Sequence, residues 1–133
     1  MNKTTVILIG EDDIDDQEIL SDIITDFGKP IELKFASSGN KLIHVLDEMP
    51  LNNLPGLILL DYNMPELNGE EILRKINMNN RFSNIPKIVW STSSAMNYKE
   101  RCINAGAREY LVKPTTIQSL KDMLLYIFSI CNL

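Results

Sequence analysis

Short apolar runs alternate with longer stretches of helical period along the whole chain. Val6-Ile7-Leu8-Ile9, Leu57-Ile58-Leu59-Leu60 and Ile88-Val89-Trp90 are continuously apolar, the pattern of parallel strands covered on both faces. Ile31-Glu32-Leu33-Lys34-Phe35 alternates instead, as a half-exposed edge strand does. With Tyr110-Leu111-Val112, these runs predict strands over Thr5–Ile9, Ile31–Ala36, Leu57–Asp61, Lys87–Ser91 and Glu109–Val112. The segments between and after them predict helices over Asp15–Phe27, Gly39–Met49, Gly69–Asn77, Ala95–Asn104 and Thr116–Cys131. The first helix carries Ile19, Leu20, Ile23, Ile24 and Phe27 on one stripe. Asp15 and Asp16 favour its start and Gly28 its end. The last helix follows Pro114, with Thr115 or Thr116 as its cap. Strand then helix, five times over, implies an α/β fold with a parallel sheet between two helical layers. An edge second strand beside interior first and third strands fits the doubly wound order 2-1-3-4-5.

Composition narrows the function. The chain has 133 residues and is 44% hydrophobic, which suits one domain over residues 1–133 with a real core. We find no linker, repeat or low-complexity segment, and no effector domain is expected after the fifth helix. A net charge of -5 argues against nucleic acid, whose phosphates require a basic face. It gives no reason to expect an anionic membrane partner. No apolar stretch reaches the roughly 20 residues that span a bilayer. Met1-Asn2-Lys3 leads into a strand without a cleavage signal, so a cytoplasmic location is expected. Cys102 and Cys131 lack metal-ligand or redox spacing and read as small buried hydrophobes. His44, the only histidine, reads as a surface or boundary residue of the second helix. Trp90 reads as core, close enough to the strand ends to report metal binding.

Charge returns where three apolar runs end. The first strand ends in Glu11-Asp12-Asp13, the third in Asp61-Tyr62-Asn63-Met64-Pro65 and the fifth in Lys113-Pro114. In an open α/β sheet the crevice outside the carboxyl ends of the strands is where ligands bind. Carboxylates gathered there repel one another unless a cation joins them. A solvated helix start explains Glu11-Asp12-Asp13 taken alone. A calcium loop fails, because the glycine and closing glutamate of that motif are missing. A flavin phosphate loop fails too, since acidic side chains would repel the phosphate. A hard cation with oxygen ligands remains, best suited to Mg2+. Asp12 and Asp61 are expected as direct ligands, Glu11 through water and Asn63 through its backbone carbonyl. The hydroxyl run Ser91-Thr92-Ser93-Ser94 reads as turn chemistry or as a donor to a phosphoryl oxygen. Lys113 reads as a phosphate clamp, turned into the crevice by a cis peptide at Pro114. The full set describes an aspartate that accepts a phosphoryl group, with positioning and charge supplying the catalysis.

On these residues the chain resembles the receiver domain of two-component response regulators, over essentially its whole length. The resemblance rests on Ile9-Gly10-Glu11-Asp12-Asp13, Leu60-Asp61-Tyr62-Asn63-Met64-Pro65 with Gly69, Ser91-Thr92, Ala105-Gly106-Ala107 with Tyr110, and Lys113-Pro114. It implies a flavodoxin-like (βα)5 fold, with Asp61 as phosphoacceptor, Glu11 and Asp12 as the metal pair and Lys113 on the phosphate. Ser91, fifteen residues before Gly106, matches the switch hydroxyl, with Thr92 as fallback. Tyr110 matches the aromatic switch, which turns inward on phosphorylation in this family. Gly106 and Pro114 are carried over as structural. Two features depart from the commoner pattern: Glu11 stands for Asp, and Thr92 for a smaller residue. Asn63 and Ser93 occupy positions that tune dephosphorylation.

The expected function is that of a stand-alone receiver, dependent on Mg2+, that catalyses its own phosphorylation and dephosphorylation. It would take its phosphoryl group from a histidine kinase or a histidine phosphotransfer protein. Output would pass by protein–protein contact through the fourth helix, fifth strand and fifth helix. The apolar surplus around Tyr126, Phe128 and Ile130 marks either a partner or homodimer face or simple core packing. A phosphatase of the haloacid dehalogenase type is disfavoured, because Asn63 stands where its second aspartate belongs. A receiver-like scaffold that binds partners without phosphorylation is the alternative.

Overall fold

A computed structural model describes residues 4–133; the Met1-Asn2-Lys3 reading lies outside them. Five strands, β1 (Thr5–Gly10), β2 (Ile31–Ala36), β3 (Leu57–Asp61), β4 (Lys87–Ser91) and β5 (Glu109–Val112), form one parallel sheet in the order β2-β1-β3-β4-β5. The helices are α1 (Ile14–Asp26), α2 (Gly39–Glu48), α3 (Gly69–Asn77), α4 (Met96–Asn104) and α5 (Ile117–Ile130). Both the order and the edge position of β2 match the sequence expectation. The strands agree closely, β1 running one residue longer. The helix bounds agree to within one residue: α1 begins and ends a residue earlier, α2 ends a residue earlier, α4 begins a residue later, α5 is a residue shorter at each end and α3 is unchanged. Side chains cap the starts of four of them: Asp13 for α1, Ser38 for α2, Asn68 for α3 and Thr116 for α5. Gly28 follows α1 at φ +66, the left-handed conformation that closes a helix. Two 3-10 turns, Leu51–Asn53 and Asn80–Phe82, were not anticipated.

Period-two alternation divides the core into two layers. Val6 and Leu8 of β1, with Ile58 and Leu60 of β3, face α2, α3 and α4. Ile7 and Ile9, with Leu57 and Leu59, face α1 and α5. On that side Phe128 is buried and meets Phe27 edge to face at 5.4 Å. Of the surplus around the last helix, Phe128 therefore packs inward and Ile130 joins it in part. Tyr126 stays exposed and donates to Glu109 at 2.8 Å. Both cysteines are buried and free, and His44 is exposed beside Glu48, as expected. Among the described residues no helix is long and apolar enough to cross a membrane.

One buried charge escaped the sequence reading. Lys87, the first residue of β4, is only 2% exposed. Its ammonium donates to Asn77 Oδ1 at 2.8 Å and to the Phe82 carbonyl at 2.5 Å. Burial pulls its pKa down. Asn77 in turn donates from Nδ2 to the Ala105 carbonyl at 2.6 Å. This polar knot joins the ends of α3 and α4 at the sheet edge opposite the acidic one. It also explains Gly106: at φ +112, a Cβ there would stand 2.0 Å from Asn77 Nδ2.

Candidate functional site

The carboxyl edge assembles as the sequence suggests. Asp61 closes β3 and is 6% exposed. Its Oδ1 accepts from the Asn63 N–H at 3.0 Å, and its Oδ2 from Lys113 Nζ at 2.8 Å. Glu11 follows β1 and is fully buried. Its backbone N–H donates to the Ala36 carbonyl at 3.0 Å, which continues the β1–β2 ladder and turns the side chain inward. Glu11 Oε2 accepts from the Asp13 N–H at 3.1 Å and Oε1 from Lys113 Nζ at 3.1 Å. Asp12 is exposed at the rim. Asp13 is committed to the helix, accepting from the N–H groups of Asp15 and Asp16.

Carboxylate oxygens of Glu11, Asp12 and Asp61 lie within 4.8 Å of one another. Three oxygen donors of net negative charge fit a hard cation such as Mg2+ and give no nitrogen or sulfur to favour a softer one. Lys113 is at present the compensating charge. Burial pulls its ammonium down, but Asp61 and Glu11 outweigh that and hold it above the ordinary lysine range. Burial pushes the Glu11 carboxyl up to about 7, opposed by the Asp13 N–H and reinforced by the charge on Asp61.

Lys113 reaches this position without the cis bond expected at Pro114: no peptide bond among the described residues is cis. Its N–H donates to the Ser91 carbonyl at 2.7 Å, which extends the β4–β5 ladder and aims the long side chain at the crevice. Two neighbours of its ammonium were not anticipated as site residues. Asp16 Oδ2 lies 3.4 Å away, and the Trp90 ring centroid 4.5 Å away. The place of Asp16 in the first turn of a helix opening onto the crevice was the available signal for the first. The sequence reads Trp90 only as core close to the strand ends; its place opposite Asp61 comes from the β3–β4 register.

The remaining sequence candidates surround this cluster. Ser91 ends β4, one residue beyond the partner of Asp61, and is fully buried. Its Oγ accepts from the Ser93 N–H at 3.1 Å, which leaves the hydroxyl proton free to donate. Thr92 is exposed. Tyr110 lies inward, its hydroxyl donating to the Ser93 carbonyl at 2.7 Å. Tyr62, next to Asp61, stacks on Tyr98 of α4 with centroids 4.8 Å apart. The β4–α4 segment and α4 itself are thus tied to the crevice by two tyrosines.

Residues 7–125 match the sequence profile of the response regulator receiver domain. The chain belongs to this family. Among curated receiver relatives, chemotaxis protein CheY1 of Helicobacter pylori strain J99 is 33% identical over 82 residues, covering 62% of this chain and 66% of the relative. Two-component response regulator ORR5 of Oryza sativa subsp. japonica is 29% identical over 108 residues, covering 81% and 77%. The match to Arabidopsis thaliana regulator ARR3 spans only 31% of that protein, so some relatives are much longer than the shared receiver. Among solved structures, the phosphorylated cyanobacterial phytochrome response regulator RcpA superposes with TM-score 0.86 at 23% identity, covering 95% of this chain and 92% of that one. The Mn(2+)-bound form of response regulator Rcp1 superposes with TM-score 0.83 at 28% identity, covering 94% and 92%. The receiver fold is therefore shared by this chain and these solved structures.

Proposed function

We propose that this receiver accepts a phosphoryl group on Asp61 from the phosphohistidine of a histidine kinase or phosphotransfer protein. The single observation that carries the reading is the convergence of Glu11, Asp12 and Asp61 within 4.8 Å beside Lys113. An Asp61 oxygen attacks phosphorus, the P–N bond breaks, and the electron pair returns to the imidazole of the donor. Glu11, Asp12, Asp61 and the Asn63 backbone carbonyl would hold Mg2+. The bound ion offsets the charge of the carboxylates and the phosphoryl oxygens. Lys113 exchanges its bond to Asp61 for one to a phosphoryl oxygen, and the Ser91 hydroxyl donates to another. Hydrolysis of the aspartyl phosphate returns the protein to its resting state.

Signalling then follows from the ties already described. Drawing Ser91 toward the phosphoryl group disturbs its bond with Ser93, whose carbonyl holds Tyr110. The Tyr62–Tyr98 stack gives α4 a second connection to the residue next to Asp61. Both bias a two-state equilibrium of α4 and β5. Output passes by protein contact through the α4–β5–α5 face, where Val112, Leu125 and Tyr126 are exposed.

Incubation with acetyl phosphate and Mg2+, read by intact mass, tests the assignment. Wild type gains one phosphoryl group and Asp61→Asn gains none. A folded protein that binds Mg2+ yet takes no label would instead support a phosphorylation-independent scaffold.

A further inference from the structure

We propose that Trp90 is a positioning residue for Lys113, its indole face holding the ammonium over the crevice while the lysine changes partners. The inference rests on the phosphoryl-acceptor reading above. The Lys113 nitrogen lies 4.5 Å from the ring centroid, within the range of a cation–π attraction. Trp90 pairs with Asp61 across β3 and β4, so one strand pair delivers both the ring and the carboxylate.

Two observations separate this role from plain core packing. Trp90 is 3% exposed, and its Nε1 is the one buried side-chain polar atom among the described residues without a hydrogen-bond partner. Leucine or phenylalanine would fill the layer without stranding an N–H. The indole is therefore held here by what its face contacts, not by a bond of its own. The second observation concerns Lys113. Its ammonium has three protons, and three carboxylates surround it: Asp61 at 2.8 Å, Glu11 at 3.1 Å and Asp16 at 3.4 Å. The ring supplies the remaining side. A fourth carboxylate there would attract the ammonium but repel an incoming phosphoryl group. A hydroxyl or amide would compete for its protons. An aromatic face attracts the cation, adds no charge and takes no proton. It matters because a cavity of about 170 Å³, lined in part by Asp16, Trp90, Lys113 and Pro114, opens alongside. When Asp61 gives up its bond to Lys113, the ring keeps the ammonium from swinging into that space.

The test compares initial rates of labelling by acetyl phosphate for wild type, Trp90→Phe and Trp90→Leu, each with Lys113 and with Lys113→Met, after far-ultraviolet circular dichroism has verified folding. Trp90→Leu is expected to slow labelling about five- to tenfold and Trp90→Phe about twofold, as suits loss and weakening of a desolvated cation–π contact. Neither change has an effect once Lys113 is methionine. Trp90→Met replaces the leucine variant should that one fail to fold. Trp90→Leu as fast as wild type, or an equal slowing in the Lys113→Met background, overturns the inference and leaves the proposed function standing. A wild type without label overturns both. Because Trp90 is the only tryptophan, its emission reads the contact directly. Emission is expected to change in Lys113→Met, and this decides the matter if that background labels too slowly to rate. Unchanged emission overturns the inference.

Discussion

Replacing Asn77 with alanine should cost the fold roughly 3 kcal/mol. The residue accepts from the buried Lys87 ammonium and donates to the Ala105 carbonyl. A hydrogen bond to a charged group contributes about 1.5–3 kcal/mol and a neutral one about 1 kcal/mol. Truncation also leaves the ammonium with the Phe82 carbonyl as its one remaining partner in the knot. For a domain of this size the loss corresponds to a fall in Tm of roughly 10 °C. Lys87→Met removes the charge instead of stranding it, so the double variant should be more stable than the sum of the single losses by at least about 1 kcal/mol. Urea unfolding followed by Trp90 emission measures all four proteins. The knot lies at the sheet edge opposite Asp61, so folded Asn77→Ala should label with acetyl phosphate at the wild-type rate. A loss below about 1 kcal/mol, or strict additivity, would refute the account of Lys87 as a charge dependent on Asn77.

Further outcomes follow from the same geometry. Gly106→Ala should destabilise the protein, because a Cβ would meet Asn77 at 2.0 Å and φ is +112; thermal unfolding reads this, and Asn77→Ala should relieve only the steric part. The folded chain holds a proton on Glu11 up to about 7, against an ordinary 4.5, so it binds protons that the unfolded chain has released between those values. Metal-free stability should therefore fall as pH rises through that window. A Tm series at pH 5.5 and 7.5 should show this drop in wild type and not in Glu11→Gln, and a matching drop in the variant would contradict it. Lys113→Met removes a cation from the acidic cluster and should tighten Mg2+ binding while slowing phosphoryl uptake; calorimetry and intact mass separate the two. Tyr110→Phe deletes the bond to the Ser93 carbonyl and should cost about 1 kcal/mol, with faster amide exchange over residues 92–95.

Much of this architecture was legible in the pattern of apolar positions. Continuous runs in β1, β3 and β4 and alternation in β2 report how many faces of each strand are covered, and that order places the strand-end carboxylates together. Asp61, Glu11, Asp12 and Lys113 were recoverable because charge that terminates an apolar strand has few places to go. What escaped depends on contacts distant in sequence. Lys87 carries no sequence sign of burial; only the fold brings Asn77 and the Phe82 carbonyl to receive it. Asp16 reads as a helix-dipole charge until Lys113 arrives from the far end of the chain. The indole face of Trp90 carries no sequence signal that separates it from ordinary core. Pro114 misled: a cis bond there would turn Lys113 into the crevice, but the bond is trans and the β4–β5 ladder already aims the side chain.

Trapping the phosphorylated residue tests the central claim most directly. After incubation with acetyl phosphate and Mg2+, borohydride reduces an aspartyl phosphate to homoserine, and peptide sequencing by mass spectrometry locates it. The account expects homoserine at position 61, dependent on Mg2+ and abolished by chelation. Homoserine at Asp12 or Asp16 with position 61 unchanged, or none at any position in a protein that carries label, would contradict it.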